Sequence, residues 1–299
     1  MGSLPTGKIL KRPVAIIGAG TLGRRIALMM TAHGAHVRLY DRKNEACHSA
    51  SCFIQENLLP LTALTGGTDH EITKVEFCDT LEEAIKDSWL IIEAIPEILD
   101  LKISLFAQLD KLAPADAILA SNSSSYPSSK LIGEVSVERL SHVVNTHFYM
   151  PPVQNAVEIG SCGYTIQAVI DELILNLKKY GFSPFVVGKE SIGFIFNRVW
   201  AAVKRECLEV VATGVSTPED LDAIYKLSLG AQAGPFELMD KIGLDVVYDI
   251  EKHYAEVDPA RSENPLKLLE QYIKQGRLGV KSGSGFYQYN EKGNKVATH

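Results

Sequence analysis

A run of four apolar residues, Val14-Ala15-Ile16-Ile17, breaks directly into Gly18-Ala19-Gly20-Thr21-Leu22-Gly23, and a helical pattern follows without a gap. That order constrains the chain to a buried strand, a tight glycine turn and a helix laid back on the strand. Gly18 permits the turn, Gly20 lets backbone approach a pyrophosphate, and Gly23 lets the helix pack closely on the strand. A helix over residues 21–33 aims its free N–H groups and positive dipole end at phosphate, so Thr21 and Leu22 join the glycines as cofactor-contacting positions. A second strand over residues 36–40 ends in Asp41, eighteen residues beyond Gly23, where a carboxylate can accept hydrogen bonds from ribose hydroxyls. The glycine loop alone is a weak signal. Loop, second strand and terminal aspartate together point to a bound dinucleotide.

The rest of the chain repeats the alternation. A helical pattern from Asn44 to Leu59 is expected to break at Pro60 and Thr65-Gly66-Gly67-Thr68. A strand over 74–78 precedes a short helix over 80–85, with Thr80 as its N-cap. Continuous apolar runs at 89–92 and 117–120 read as buried parallel strands. Between them lies a helix near 99–109 whose apolar face is Leu101, Leu105, Phe106 and Leu109. A short helix over 128–133, a strand from Leu140 to Thr146 ending at His147, strands at 156–159 and 184–187, and a helix over 166–180 complete this half. Beyond Gly188 strand patterns are scarce, and long helices begin at Ile195 and at Thr217-Pro218. The expected fold is α/β: a Rossmann-like, doubly wound, mostly parallel sheet over residues 1–190, then a smaller all-α domain over 191–299. Ligands in such sheets bind beyond the carboxyl ends of the strands, where the glycine loop, Glu97, the serine run 121–125 and His147 all fall.

Composition narrows the function classes. A net charge of −6 argues against nucleic acid as the main partner. No apolar run is long enough for a membrane span, and the first eleven residues lack the apolar core of a secretory signal. Cys47, Cys52, Cys78, Cys162 and Cys207 are scattered without C-x-x-C spacing, which fits free thiols in a reducing, cytoplasmic setting. Cys47, His48, Cys52 and His70 do not have zinc-ligand spacing, and no metal is expected.

In combination and order, GAGTLG at 18–23, EAIPEILDLK at 93–102, ASNSSS at 120–125, HFYMPP at 147–152, VEIG at 157–160, GFIFNR at 193–198, GPFELMD at 234–240, GLD at 243–245 and GSGFYQY at 283–289 resemble the L-3-hydroxyacyl-CoA dehydrogenase family over nearly the whole chain. The resemblance implies an NAD-dependent oxidoreductase of fatty acid metabolism that interconverts a 3-hydroxyacyl-CoA, or a related 3-hydroxy compound, and its 3-oxo partner. It implies His147 as general acid/base oriented by Glu158, with Ser124 and Asn197 binding the reacting oxygen. It places Glu97 and Lys102 on the nicotinamide side of the cofactor site, adds Asn122 to the cofactor contacts, and implies a homodimer built through the second domain. Taken alone, Ser124 could cap a turn and Asn197 could begin a helix.

The chemistry is consistent with those assignments. Hydride leaves a carbinol carbon only as its hydroxyl proton is taken, and histidine titrates near neutrality. A carboxylate on its second nitrogen fixes the tautomer. Three departures from the family pattern stand out: Met150 where Asn is usual, an eleven-residue spacing from His147 to Glu158 where twelve is usual, and Ile192 where Pro is common. The stretch 42–74, lysine-rich in the family, here holds Arg42, Lys43 and Lys74 against Glu45, Glu56, Asp69 and Glu71. These departures leave a CoA-free hydroxy acid as an alternative substrate. A catalytically silent structural or cofactor-sensing protein is the alternative of another class.

Overall fold

The computed structural model describes residues 12–64 and 74–296, and the chain divides into two compact units after Ile195. In the first unit the strands are β1 (Val14–Ile17), β2 (Val37–Tyr40), β3 (Glu76–Phe77), β4 (Leu90–Glu93), β5 (Ile118–Ser121), β6 (Val143–Phe148), β7 (Ala156–Ser161) and β8 (Ser183–Val187). They form one sheet in the order β3-β2-β1-β4-β5-β6-β7-β8, parallel except where β6 meets β7. The apolar runs are continuous because both faces of the sheet are covered. Val14, Ile16, Leu90, Ile92, Ile118 and Ala120 face one core, while Ala15, Ile17, Ile91, Ala117 and Leu119 face the other.

The helices of this unit are α1 (Thr21–Ala32), α2 (Asn44–Leu64), α3 (Leu81–Ile85), α4 (Leu99–Leu112) and α5 (Gln167–Lys179). Thr80 caps α3, its hydroxyl accepting from the Glu83 N–H at 3.2 Å. Three expectations need correction. Helix α2 runs through Pro60 rather than stopping there. Pro60 sits in the exposed last turn, where the freed carbonyl of exposed Glu56 can take a water instead. The Thr65–Thr68 break and His70 lie outside the described residues. Strand β6 starts at Val143, because Leu140–His142 form a 3-10 turn, and so His147 lies within the strand. The buried face of α4 is Lys102, Leu105, Phe106 and Leu109, with Leu101 exposed along the cleft beside β1.

The second unit is helical: α6 (Phe196–Ala212), α7 (Pro218–Leu229), α8 (Pro235–Ile242), α9 (Leu244–Val257) and α10 (Asn264–Lys274). Helix α7 is delimited as its sequence dictates. The Thr217 hydroxyl accepts from the Asp220 N–H at 3.2 Å, Pro218 opens the first turn, and Gly230 closes the helix at φ +65°. Its core gathers Cys207, Leu208, Phe236, Met239, Leu244, Val247, Leu269, Phe286 and Tyr287.

Two buried carboxylates tie this unit together. Asp240 accepts from the backbone N–H groups of Phe286 and Tyr287 and from the Tyr289 hydroxyl, all at 2.9 Å. Asp222 accepts from the N–H groups of Phe236 and Glu237 and from the Tyr287 hydroxyl. GPFELMD and GSGFYQY are thus two halves of one buried hydrogen-bond network. Gly285 is required there, since a β-carbon would fall 2.0 Å from an Asp240 oxygen.

Lys204 of α6 is 2% exposed and Glu251 of α9 is 4% exposed, with the Arg205 guanidinium 3.7 Å from Glu251. Burial pulls the Lys204 amine below its usual range, against the attraction of Glu251. Burial also pushes the Glu251 carboxyl up, against Arg205 and Lys204. Glu251→Leu strands the Lys204 charge and is expected to cost about 3–5 kcal/mol in urea unfolding. The double change Lys204→Met with Glu251→Leu should recover most of that loss; a double variant no more stable than the single one would contradict it.

Candidate active site

The order of the strands reverses between β1 and β4, and a crevice opens beyond their carboxyl ends. Gly18 has φ +113°, and a β-carbon there would meet the Ala94 carbonyl oxygen at 2.4 Å. A β-carbon on Gly23 would meet the Gly18 carbonyl oxygen, so α1 lies directly on the turn. At Gly20 a β-carbon would meet nothing within 4 Å. Gly20 precedes α1 with no side-chain cap, and no acidic residue sits in the first turn of α1, so Thr21, Leu22 and Gly23 present uncapped backbone N–H groups.

A cavity of about 620 Å³ continues from this loop, lined among others by Tyr40, Asp41, Leu81, Ile95, Leu101 and Leu105. Asp41 accepts from the Ala19 N–H at 2.8 Å and from the Lys43 N–H at 2.9 Å. A carboxylate has about four acceptor sites, so two remain for ribose hydroxyls. Open space at Gly20, uncapped donors and a mostly apolar cleft ending in a carboxylate fit a dinucleotide.

Next along the crevice lies an ion network in which Lys102 and Glu93 are buried and Glu97 is exposed. The Lys102 side chain, 1% exposed on α4, donates to Glu93 at 2.6 Å and to the Ile95 carbonyl at 3.3 Å, and pairs with Glu97 at 3.0 Å. All three ammonium protons are used inside the protein. Lys102 therefore holds Glu97 in place rather than presenting a free charge. Glu93, fully buried, also accepts from the Ser121 hydroxyl at 2.7 Å and the Ile95 N–H at 2.9 Å. Glu97 accepts from the Ser123 hydroxyl at 2.5 Å and the Ser125 N–H at 2.9 Å. Burial pushes the Glu97 carboxyl up, but the Ser123 hydroxyl, the Lys102 ammonium and the Ser125 N–H outweigh it and hold it below the usual range. Ser124 itself is exposed, and its hydroxyl has no protein partner among the described residues. Asn122 accepts from the Phe148 N–H at 2.9 Å, which fastens the end of β5 to β6 beside His147.

The antiparallel pairing of β6 and β7 sets His147 directly opposite Glu158. The His147 Nδ1 lies 3.1 Å from Glu158 Oε2, and both side chains are buried. Glu158 Oε1 accepts from the Ile195 N–H at 3.0 Å. Phe194 stacks on the imidazole, with ring centroids 5.3 Å apart and planes 16° apart, and Tyr149 tilts against it at 4.9 Å. Burial, the Glu158 charge and a hydrogen bond to Glu158 raise the Tyr149 phenol well above its usual range. Asn197 is the second residue of α6 and belongs to the second unit.

Glu93, Ser123, Tyr149 and Phe194 were not singled out from the sequence. Ser121 and Ser123, two apart at a strand end, share a side of the chain, and that period was the available signal. The others depend on long-range packing.

Comparison with known proteins adds two family matches. The 3-hydroxyacyl-CoA dehydrogenase NAD binding domain matches residues 13–191, and the C-terminal domain of the same family matches residues 193–289. A probable 3-hydroxybutyryl-CoA dehydrogenase of Bacillus subtilis is 32% identical over 286 residues, spanning 94% of this chain and 98% of its own length. The 5-formyl-3-hydroxy-2-methylpyridine 4-carboxylate 5-dehydrogenase of Mesorhizobium japonicum is 29% identical over 95% of this chain and 93% of its own. Among solved structures, the (S)-3-hydroxybutyryl-CoA dehydrogenase of Ralstonia eutropha superposes with a TM-score of 0.83 at 28% identity, over 94% of this chain and 99% of that one.

Lys102→Met leaves Glu93 buried without a counter-charge and is expected to cost about 3–5 kcal/mol in denaturant unfolding. Adding Glu93→Gln removes the stranded charge and should restore part of the loss. A Lys102→Met protein as stable as the parent would show that the pair is not needed.

Proposed function

The chain belongs to the 3-hydroxyacyl-CoA dehydrogenase family, and from that membership we propose that it is an NAD-dependent oxidoreductase interconverting a 3-hydroxyacyl-CoA, or a related 3-hydroxy compound, and its 3-oxo partner. The observation that carries the reading is the buried His147–Glu158 pair on the same sheet as the glycine loop. Glu158 only accepts, so the Nδ1 proton of His147 points at it and the Nε2 lone pair is left for the substrate hydroxyl. As the 3-hydroxyl is oxidised, His147 Nε2 takes its proton and Glu158 stabilises the imidazolium that forms. In the reverse direction the same nitrogen returns the proton to the 3-oxo oxygen. Bound at the glycine loop, NAD would supply the acceptor for the hydride that leaves the carbinol carbon. We assign the reacting oxygen to the Ser124 hydroxyl and the Asn197 amide, neutral groups that hold it without competing for the proton. The pyrophosphate falls to Gly18, Gly20, Thr21, Leu22 and Gly23, the adenosine ribose to Asp41, and the nicotinamide side to Glu97 and Asn122, with Lys102 holding Glu97.

Within the described residues α2 carries no lysine or arginine, while Leu59 and Leu64 are exposed. This favours a second substrate reading in which CoA contributes little. Reduction of acetoacetyl-CoA compared with free acetoacetate, followed by NADH consumption, decides between the two. A homodimer formed through the second unit is supported by Val215, Ile224, Leu227 and Leu229, all well exposed there. Sedimentation is expected to give a dimer at micromolar concentration, and a monomer would reject it. No helix among the described residues is long and apolar enough to cross a membrane. The five free thiols support a cytoplasmic setting.

His147→Ala and Glu158→Gln should each lower turnover by about 100- to 10,000-fold, the usual worth of acid–base help, while NADH binding by fluorescence titration stays near the parent value. Full activity in His147→Ala would exclude the mechanism. Asp41 would repel a 2′-phosphate, although Arg42 and Lys43 follow it, so kcat/KM should favour NAD over NADP. A clear NADP preference would overturn the assignment of Asp41.

A further inference from the structure

Phe194 has φ +51°, in the left-handed region that side chains with a β-carbon rarely adopt. It follows Gly193, itself at φ +75°, and a second glycine would take this conformation without strain. A phenylalanine held there instead, with its ring almost fully buried, implies that the ring is what the turn serves. The ring lies flat on the imidazole of His147 and packs over Gly160, where a β-carbon would sit in ordinary contact with it at 3.5 Å. The turn is closed by the Phe194 N–H donating to the Ser191 carbonyl at 3.1 Å. The very next N–H, that of Ile195, donates to Glu158 Oε1 and leaves Oε2 to face His147. One hydrogen bond at Nδ1 fixes a point on the imidazole but not the tilt of its plane. A flat ring against its face removes that freedom and aims Nε2.

We propose that the turn Gly193–Phe194–Ile195 is the orienting clamp of the dyad: Phe194 is a positioning residue that fixes the plane of His147, while the Ile195 N–H fixes the carboxylate of Glu158. The inference rests on His147 being the acid/base group. It predicts that the clamp acts through the dyad and not through general stability.

Histidine-selective 15N NMR of the full chain without substrate reads the imidazole directly. The parent and Phe194→Tyr are expected to show His147 as an Nδ1–H tautomer with sharp ring signals, and Phe194→Leu the same tautomer, still held by Glu158, with ring signals broadened by motion of the freed plane. In acetoacetyl-CoA reduction, Phe194→Leu should lower kcat by roughly 10- to 100-fold through misplacement alone, with the KM for NADH within about two-fold and Phe194→Tyr near the parent. In a Glu158→Gln background the same change should cost less than about three-fold, because both act on one group. An unchanged 15N spectrum, a kcat within about two-fold of the parent, or losses that multiply in full with Glu158→Gln would overturn the clamp. Should Phe194→Leu fail to fold, Phe194→Met, which nearly keeps the volume without a flat ring, is read by the same criteria. Absence of acetoacetyl-CoA turnover in the parent would reject the CoA-thioester reading, while the NMR arm still decides the clamp.

Discussion

The arrangement of the first unit turns on one antiparallel pairing in an otherwise parallel sheet. Six strands, β1 to β6, run the same way and deliver their carboxyl ends to one crevice. Had β7 also been parallel to β6, a crossover would have separated their side chains by a helix's worth of chain. Because β7 returns directly, a buried acid and a buried imidazole meet across a single rung. The register matters as much as the direction. A slip of one residue would turn Glu158 to the opposite face of the sheet.

A second constraint is the handling of charge at low dielectric. The crevice holds four ionised side chains within a few residues of the proposed cofactor site: Asp41, Glu93, Glu97 and Lys102. Of these Glu93 and Lys102 are buried, and their burial is tolerable because each is met by donors or acceptors. Lys102 is saturated by three oxygens, Glu93 by three donors, and Glu97 by a hydroxyl, an amide and the ammonium. The same rule operates in the second unit, where Asp222 and Asp240 each gather three donors. Lys204 and Glu251 follow it less completely, which is why a well-packed apolar replacement is a fair competitor there.

Much of this was legible in the sequence, and the reasons are physical. Val14–Ile17 and Trp89–Ile92 announce buried strands because both faces of the sheet are covered, leaving no polar alternation. Gly18, Gly20 and Gly23 announce the turn because each meets a different steric demand. Thr80 and Thr217 mark helix starts because capping is local. What could not be read is what depends on distant chain. Pro60 looks like a stop, yet its turn is exposed and loses little by continuing. Apolar content at Ala156–Ile159 shows a strand but not its direction. Glu93 looks like a surface charge until the eight residues between it and Lys102 fold the two together. Phe194 looks like an ordinary core residue, and neither its left-handed backbone nor its stacking on His147 leaves a mark in composition or period.

The glycine turn, the lysine-held carboxylates and the paired acid and imidazole are all in place by Ile195, where the first unit ends. Its final N–H is spent on Glu158, so the unit closes on its own chemistry. The inheritable consequence is a division of labour along the gene. A lineage that recombined or rapidly altered the coding sequence after this point would keep the glycine turn, the lysine-held carboxylates and the paired acid and imidazole while renewing everything contributed from Phe196 onward, Asn197 included. The two units can then drift at different rates within one polypeptide.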